Sequence, residues 1–278
     1  HTLPEIRRVP LEGLCLQIQL QRMAGGIAGF LGKALEPPKV ESVEAAVASL
    51  KRLGALDERE CLTPLGQHLA TLPVDVRVGK MLLYGSMLGC LDPVLTIAAV
   101  LSGRSPFVAP LDKRDEADLA KKLFAEDQSD HLTILNAYNG WQDAKKQGRS
   151  SEFAFTRENF LSWRALEGIA DLRNQFTQLL NESGFLGSSS KKKGGGRYRG
   201  RQRGNVLETD VDWIRANRNS ENKRLLKSVL VAGLYPNLIK VDPGSRPDAP
   251  PRLSFLAENG RTEKIQIHPS SINVEAKK

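Results

Sequence analysis

Residues 53–66 read LGALDERECLTPLG, and this short stretch contains a helix end, a turn and a helix start. Gly54 follows a stripe of apolar residues at helical spacing and occupies the position where a glycine ends a helix; the stripe is Val43, Val47, Leu50 and Leu53. The apolar pairs at the two ends of 55–62 flank the polar residues 57–60, which predicts a small hairpin. Thr63-Pro64 then has the N-cap residue and the first-turn proline that begin a helix.

Upstream of this stretch, the sequence predicts two further helices. One is indicated by an apolar stripe at i, i+3, i+4 and i+7, made of Leu11, Leu14, Cys15 and Ile18. It is expected to end at Gly25-Gly26, and a short amphipathic helix follows at 30–35, before Pro37-Pro38. Three helices followed by a hairpin are typical of a winged helix, which we assign to residues 1–65.

Downstream, residues 66–186 have the pattern of a helical bundle. Helix starts are predicted at Asp92-Pro93 and at Ser129-Asp130, the latter helix running to Ala144. The longest predicted helix spans 156–182. The loop 102–107, rich in Ser and Gly with one Pro, interrupts the bundle.

The composition of the remaining chain changes first at residue 187 and again at residue 205. Residues 187–204 read GSSSKKKGGGRYRGRQRG, with seven basic and no acidic side chains in a chain of net charge +8, and predict a disordered linker. Residues 205–278 then predict a helix at 221–232 and strands at 238–241, 252–256 and 264–267, separated by Pro/Gly/Asn turns. A small OB-type barrel would accommodate these strands. The predicted fold is therefore multidomain and mainly α, with a winged helix, a helical bundle and a C-terminal β-barrel.

Several classes of site are excluded by the residue patterns. Gly32-Lys33 and Gly79-Lys80 lack both the first glycine and the Ser/Thr of a P-loop, so no catalytic or ATP-binding residues are assigned. The four histidines have no metal-ligand spacing, and three scattered cysteines suit a reducing compartment better than a disulfide framework. No apolar run approaches the ~20 residues of a membrane span. The chain opens at His1 without an initiator methionine, which we interpret as a piece of a longer protein.

Two segments carry chemistry suited to nucleic acid, and each has a plainer interpretation. The loop His268-Pro269-Ser270-Ser271 offers an imidazole and two hydroxyls to a phosphate or sugar, or is a turn docked against a neighbouring domain. In the linker, one aromatic ring lies among guanidinium groups, an arrangement that either stacks on bases or is simply solvated; these residues are Arg197, Tyr198, Arg199, Arg201 and Arg203.

Taken in order, several motifs resemble the C-terminal region of DExH/DEAH-box ATP-dependent RNA helicases. They are PEIRRVPL at 4–11, LGALD at 53–57, LTPLG at 62–66, GCLDPVLTIAA at 89–99, RSPF at 104–107, SDH at 129–131, ENFLS at 158–162, AGLYPN at 232–237 and IHPSS at 267–271. The resemblance covers nearly the whole chain apart from the linker, which has no counterpart in the family pattern.

The resemblance implies a winged helix, a helicase-associated (HA2) ratchet bundle and an OB-fold packed against two RecA-like motor domains. In the family the motors bind ATP and Mg²⁺ and hydrolyse ATP, and single-stranded RNA passes between motors and accessory domains. This chain is then an RNA-binding, ATPase-coupling module without catalytic activity of its own, in the cytoplasm or nucleus. The alternative is a protein-interaction module that docks an activator such as a G-patch protein.

The same resemblance implies where RNA would pass. The bundle loop with Arg104 and Ser105 and the C-terminal loop with His268, Ser270 and Ser271 are expected to face one tunnel. Arginine is suited to bidentate contact with phosphate, and serine hydroxyls donate to phosphate oxygens. Lys240 and Lys264, on predicted strands, are further candidates for backbone contacts, although lysines on strands are more often only solvated.

Overall fold

A computed structural model describes residues 4–186, 211–242, 252–256 and 262–274 of the chain. The described residues are mainly helical and fall into two compact units. The first unit combines His1–Leu91 with Gln178–Pro236, and the second combines Asp92–Thr177 with Asn237–Lys278. None of the described helices has the length and apolar character that crossing a membrane requires.

The first unit begins with a single 3₁₀ turn, Glu5–Arg7, and continues with five α-helices. These are α1 Glu12–Leu20, α2 Gly26–Leu31, α3 Val40–Leu53, α4 Pro64–Thr71 and α5 Val76–Leu88. A single antiparallel bridge between Leu56 and Leu62 closes the hairpin that joins α3 to α4. This arrangement of three helices, a hairpin and a further helix is the predicted winged-helix plan.

The stretch 53–66 folds as its sequence predicts. Gly54 is left-handed at φ 76° and ends α3, and the Thr63 hydroxyl accepts a hydrogen bond from Gly66 N at 3.0 Å at the start of α4. Position 66 requires a glycine, because a Cβ atom there would lie 1.9 Å from the Ala55 carbonyl oxygen. The backbones of the hairpin and of α4 can approach this closely only at a glycine.

Two predictions in the first helices are wrong in detail. Leu14 is 37% exposed, and Leu16 takes its place in the core of α1 beside Cys15. The second helix is Gly26–Leu31 rather than 30–35, because Gly25 at φ 90° begins it earlier, and Leu35 is fully exposed. Periodicity alone could not separate two neighbouring apolar positions on so short a helix.

Two later helices complete the first unit, α11 Val211–Asn217 and α12 Lys223–Leu234. The latter confirms the predicted helix at 221–232, and Asn222 caps it by accepting from Leu225 N at 3.1 Å. It packs closely on α5, since a Cβ atom at Gly233 would lie 2.4 Å from the Met81 side chain.

The second unit contains the helical bundle. Its helices are α7 Arg114–Lys122, α8 Asp130–Lys146 and α9 Arg149–Glu158, together with most of α6 Leu91–Ser102 and of α10 Trp163–Glu182. Ser129 caps α8 as predicted, accepting from Leu132 N at 3.3 Å. The α6 helix begins one residue before the predicted cap, so Asp92 lies in its first turn. The single helix predicted over 156–182 is wrong, because the chain breaks between α9 and α10.

Two polar clusters hold the bundle together. Glu152 on α9 is only 6% exposed, and its Oε1 accepts from the indole nitrogens of Trp141 on α8 and Trp163 on α10, both at 3.0 Å. Arg173 on α10 donates to the Asp92 carbonyl at 2.7 Å and lies over the Tyr138 ring at 5.3 Å. Each cluster joins three helices through one charged side chain.

The second unit ends in an antiparallel sheet of three described strands, β1 Ile239–Asp242, β2 Arg252–Leu256 and β3 Thr262–Lys264, in the order β1-β2-β3. The third strand begins two residues before its predicted start and ends at Lys264. Strands occur where the barrel was predicted, but the described residues do not establish a closed OB-fold. The predicted linker 187–204 lies outside the residues that the structure describes.

Candidate nucleic-acid interface

The bundle loop, residues 103–108, is fixed at its C-terminal end by the break between α9 and α10. Ser162 N donates to the Pro106 carbonyl at 2.8 Å, and Val108 N donates to the Phe160 carbonyl at 2.9 Å. Phe160 adopts a left-handed conformation at φ 50°, which is uncommon for a bulky residue and presents its carbonyl to the loop. The break that the sequence did not predict is therefore what anchors the loop.

Arg104 and Ser105 lie on the exposed part of this loop. The Ser105 hydroxyl accepts from Phe107 N at 3.3 Å, which forms a local turn. Arg104 is exposed and makes no hydrogen bond or ion pair with any residue in the described ranges. A guanidinium group on an anchored loop, with its donors facing solvent, is well arranged to meet an anionic ligand.

The C-terminal loop, residues 268–273, begins with a local turn built on the imidazole. Ser270 N donates to His268 Nδ1 at 3.1 Å, and the Ser270 hydroxyl is 2.7 Å from the same nitrogen. Because Nδ1 accepts the amide hydrogen, the ring proton is assigned to Nε2. His268 is exposed, so Nε2 is free to donate to an external acceptor.

The second half of the C-terminal loop docks on the start of α8. The Asp130 carboxylate accepts from Ile272 N at 3.0 Å and from the Ser271 hydroxyl at 2.5 Å. Asn273 donates from its side-chain amide to the Gln128 carbonyl at 2.8 Å. At the adjacent His131, burial lowers the imidazole pKa and the Asp130 carboxylate acts in the opposite direction.

Lys121, on α7, contacts both loops. Its Nζ donates to the Ser270 carbonyl, lies 5.1 Å from the centroid of the Phe107 ring and is 3.7 Å from Asp130 Oδ1. Only 16% of the lysine side chain is exposed. The two loops predicted to contact RNA, which are about 160 residues apart in sequence, are thus joined in one unit by a single ammonium group.

Comparison with known proteins agrees with this architecture. The helicase-associated domain (HA2) models match here, the winged-helix model at residues 46–74 and the ratchet-like model at 75–134. The chain is 46% identical over 241 residues to the human putative ATP-dependent RNA helicase DHX57, covering 86% of this chain and 17% of that protein. It is 42% identical over 277 residues to the rat ATP-dependent DNA/RNA helicase DHX36, covering 99% and 25% respectively.

The human ATP-dependent RNA helicase DHX29 is a third relative, 42% identical over 275 residues, or 98% of this chain and 19% of that protein. Residues 46–134 are a helicase-associated (HA2) region, and most of the chain is similar to a part of these RNA helicases. The predicted resemblance to their C-terminal region is thereby confirmed. The chain spans between about a sixth and a quarter of the length of these relatives.

The two strand lysines, Lys240 and Lys264, share one face of the sheet. Lys240 pairs with Ser254, and Ser254 pairs with Lys264, so the three residues form a row across the strands. Lys240 Nζ is 2.8 Å from Asp242 Oδ1, and both lysines are exposed. The linker candidates Arg197, Tyr198, Arg199, Arg201 and Arg203 lie outside the described residues, and their RNA contacts stay predictions.

Sequence reasoning missed Lys121 and gave Asp130 no role beyond its helix start. A Lys-Lys pair on an amphipathic helix is usually only solvated, so the sequence held no signal for Lys121. In the described ranges, no group of three His, Cys, Asp or Glu residues is placed to hold a metal ion.

Replacing Ser271 with alanine is expected to lower the free energy of unfolding by about 1.5–3 kcal/mol, the usual contribution of a hydrogen bond to a charged group. The reason is that the hydroxyl donates to Asp130 and also accepts from Asn273 N at 3.2 Å. Urea unfolding measures the change in stability. An unchanged stability, with RNA affinity reduced, would instead indicate that Ser271 acts mainly on RNA.

Proposed function

We propose that this chain is the RNA-binding, ATPase-coupling accessory module of an ATP-dependent DExH/DEAH-box RNA helicase. The observation that carries the proposal is the joining of the bundle loop and the C-terminal loop by Lys121. It places an exposed guanidinium group, Arg104, and an exposed imidazole, His268, in one unit. Such donors position nucleic-acid backbones without reading sequence, which suits an enzyme that moves along varied RNA.

In the whole protein we propose that two RecA-like motor domains bind ATP and Mg²⁺, while this module holds single-stranded RNA against them. We further propose that the C-terminal segment completes an OB-fold. Its strands support this, since Ile239, Val241, Leu253 and Phe255 alternate with polar residues and share the face opposite to Lys240 and Lys264. An apolar face of this kind is what a closed barrel buries. We place the protein in the cytoplasm or nucleus.

The direct test is binding of a fluorescent single-stranded oligouridine RNA to the purified chain, without partner proteins, over a series of salt concentrations. A phosphate-contacting surface predicts that the logarithm of affinity falls linearly with the logarithm of salt, with a slope of about 0.7 per phosphate contact. Absence of binding at low salt would contradict the RNA-binding function and favour the second candidate described below.

The chain alone is expected neither to bind nor to hydrolyse ATP. The sequence lacks a phosphate-cradling glycine loop, and the acidic residues Asp57, Glu58 and Glu60 lie in a turn rather than after a buried strand. Isothermal titration with Mg-ATP and a phosphate-release assay check this. Turnover that persists through further purification and copurifies with the chain would contradict it.

Deleting residues 187–204 is expected to weaken RNA binding and to flatten its salt dependence. The tract holds seven basic and no acidic side chains, and the slope should fall by about 0.7 for every phosphate that the shortened chain no longer touches. The matched control replaces the same seven residues with serine at constant length, which separates charge from spacing. If both variants keep the parent slope, the tract is only a spacer.

A groove in the first unit favours a second candidate function, the docking of an activator such as a G-patch protein. The groove has a volume of about 610 Å³ and lies between α1 and α4. Leu20, 39% exposed, provides an apolar contact there, with Arg22 and His68 beside it. Substituting Leu20 with aspartate separates the two functions: it should abolish activator docking and leave RNA binding by the chain alone unchanged.

A further inference from the structure

The two loops that are proposed to contact RNA are anchored on different parts of the second unit. The bundle loop is anchored on the α9–α10 break, whereas the C-terminal loop is anchored on Asp130 at the start of α8. For RNA to touch Arg104 and His268 together, these separate anchors must be kept in register. Lys121 is the described side chain whose ammonium group contacts both loops.

Three groups of the protein surround the Lys121 ammonium group. One N–H donates to the Ser270 carbonyl, the Asp130 carboxylate lies 3.7 Å away, and the Phe107 ring centroid lies 5.1 Å away. An ammonium group has three donors and no acceptor, and 5.1 Å is within the range of a cation–π contact. Because only 16% of its side chain is exposed, Lys121 has little accessible surface for contact with a phosphate.

We infer that Lys121 is a positioning residue that clasps the bundle loop to the C-terminal loop, so that Arg104 and His268 engage one RNA strand together. The inference rests on the proposed RNA-binding function. Lys121 acts through the two loops and does not contact RNA. Asp130 belongs to the clasp, since its carboxylate faces Lys121 and also accepts from Ser271 and Ile272.

A double-mutant cycle distinguishes a clasp from a phosphate contact. Lys121→Met keeps approximately the length of the side chain and removes its charge. It is expected to weaken oligouridine binding on the order of tenfold, because the charge-assisted contacts of Lys121 no longer hold the C-terminal loop in place. The salt slope is expected to stay the same, because the RNA keeps all its phosphate contacts. In an Arg104→Ala background the same substitution is expected to add little, since only one loop then holds RNA.

The matched control is Lys146→Met, which removes the same charge from an exposed lysine of α8 paired with Asp143. It is expected to leave affinity within twofold. Additive effects of Lys121→Met and Arg104→Ala, with a slope smaller by about 0.7, would mean that Lys121 binds phosphate directly and would overturn the clasp. An unchanged affinity for Lys121→Met would overturn it as well.

Hydrogen exchange tests the clasp without RNA. Lys121→Met is expected to speed exchange at two amides that the loops hold, Val108 N and Ile272 N, and Lys121→Arg is expected to restore protection at both. Faster exchange at Ile272 alone would contradict the inference, because Lys121 would then hold only one loop. Exchange could become faster at both amides while Arg104→Ala and His268→Ala leave RNA affinity unchanged. That result would support the contact of Lys121 with both loops and would contradict the proposed RNA path.

Discussion

Replacing Arg104 with alanine is expected to weaken binding of single-stranded RNA by about 1–3 kcal/mol, because one charge-assisted contact with RNA is lost. The side chain is exposed, lies on a loop anchored by Phe160 and Ser162, and has no partner among the described residues. Binding of a phosphate therefore breaks no hydrogen bond between Arg104 and the described residues. Fluorescence anisotropy measures the affinity, and thermal unfolding is expected to be nearly unchanged.

Two further substitutions serve as controls for this prediction. Arg104→Lys keeps the charge but loses the planar pair of donors, so it is expected to recover only part of the affinity. Arg149→Ala removes an exposed arginine at the start of α9, outside both loops, and is expected to have little effect. Equal effects of Arg149→Ala and Arg104→Ala would show that only net charge matters and would remove the assignment of Arg104.

Replacing Glu152 with alanine is expected to lower the free energy of unfolding by about 3 kcal/mol, the upper end of the cost of leaving a buried donor without an acceptor. The carboxylate accepts from Trp141 and Trp163, and the Trp141 indole is fully buried, so its N–H would be left without an acceptor. Alanine also removes the link between α8, α9 and α10. Chemical denaturation followed by tryptophan fluorescence measures the change and reports on the two indoles themselves.

Glutamine at position 152 offers the informative comparison, because its carbonyl oxygen can still accept from both indoles. Glu152→Gln is expected to lose about half as much stability, the part due to charge assistance. Glu158, exposed on the same helix, provides the control, and Glu158→Ala is expected to be nearly neutral. A Glu152→Ala protein as stable as Glu158→Ala would show that the indole cluster does not hold the bundle.

Local chemistry accounts for the parts of the fold that could be predicted. The left-handed Gly54, the Thr63 cap and the Ser129 cap are each determined by residues within four positions, and each was predicted. The break after Glu158 could not be predicted in this way. It depends on a left-handed Phe160 and on the bridge from Leu161 to Phe107, which is more than fifty residues away.

In the candidate site, too, features set by local residues could be predicted, and features that depend on distant contacts could not. The residue types at Arg104, His268 and Ser270 suggested nucleic-acid chemistry, and the resemblance to helicases grouped the two loops. No local pattern indicated Lys121, because its contact with Ser270 spans 149 residues. Nor could residue type separate Ser270 from Ser271. In the structure, Ser271 donates to Asp130, whereas Ser270 belongs to the exposed turn with His268.

We propose that one RNA strand runs over the surface formed by the bundle loop and the C-terminal loop. Photocrosslinking of the chain to a 4-thiouridine RNA, followed by mass spectrometry of the modified peptides, tests this most directly. We predict adducts in peptides that contain residues 103–108 and in peptides that contain 264–273, and a lower yield of both after Lys121→Met when RNA is below saturation. Efficient crosslinks confined to other parts of the chain, with neither loop modified, would contradict the claim.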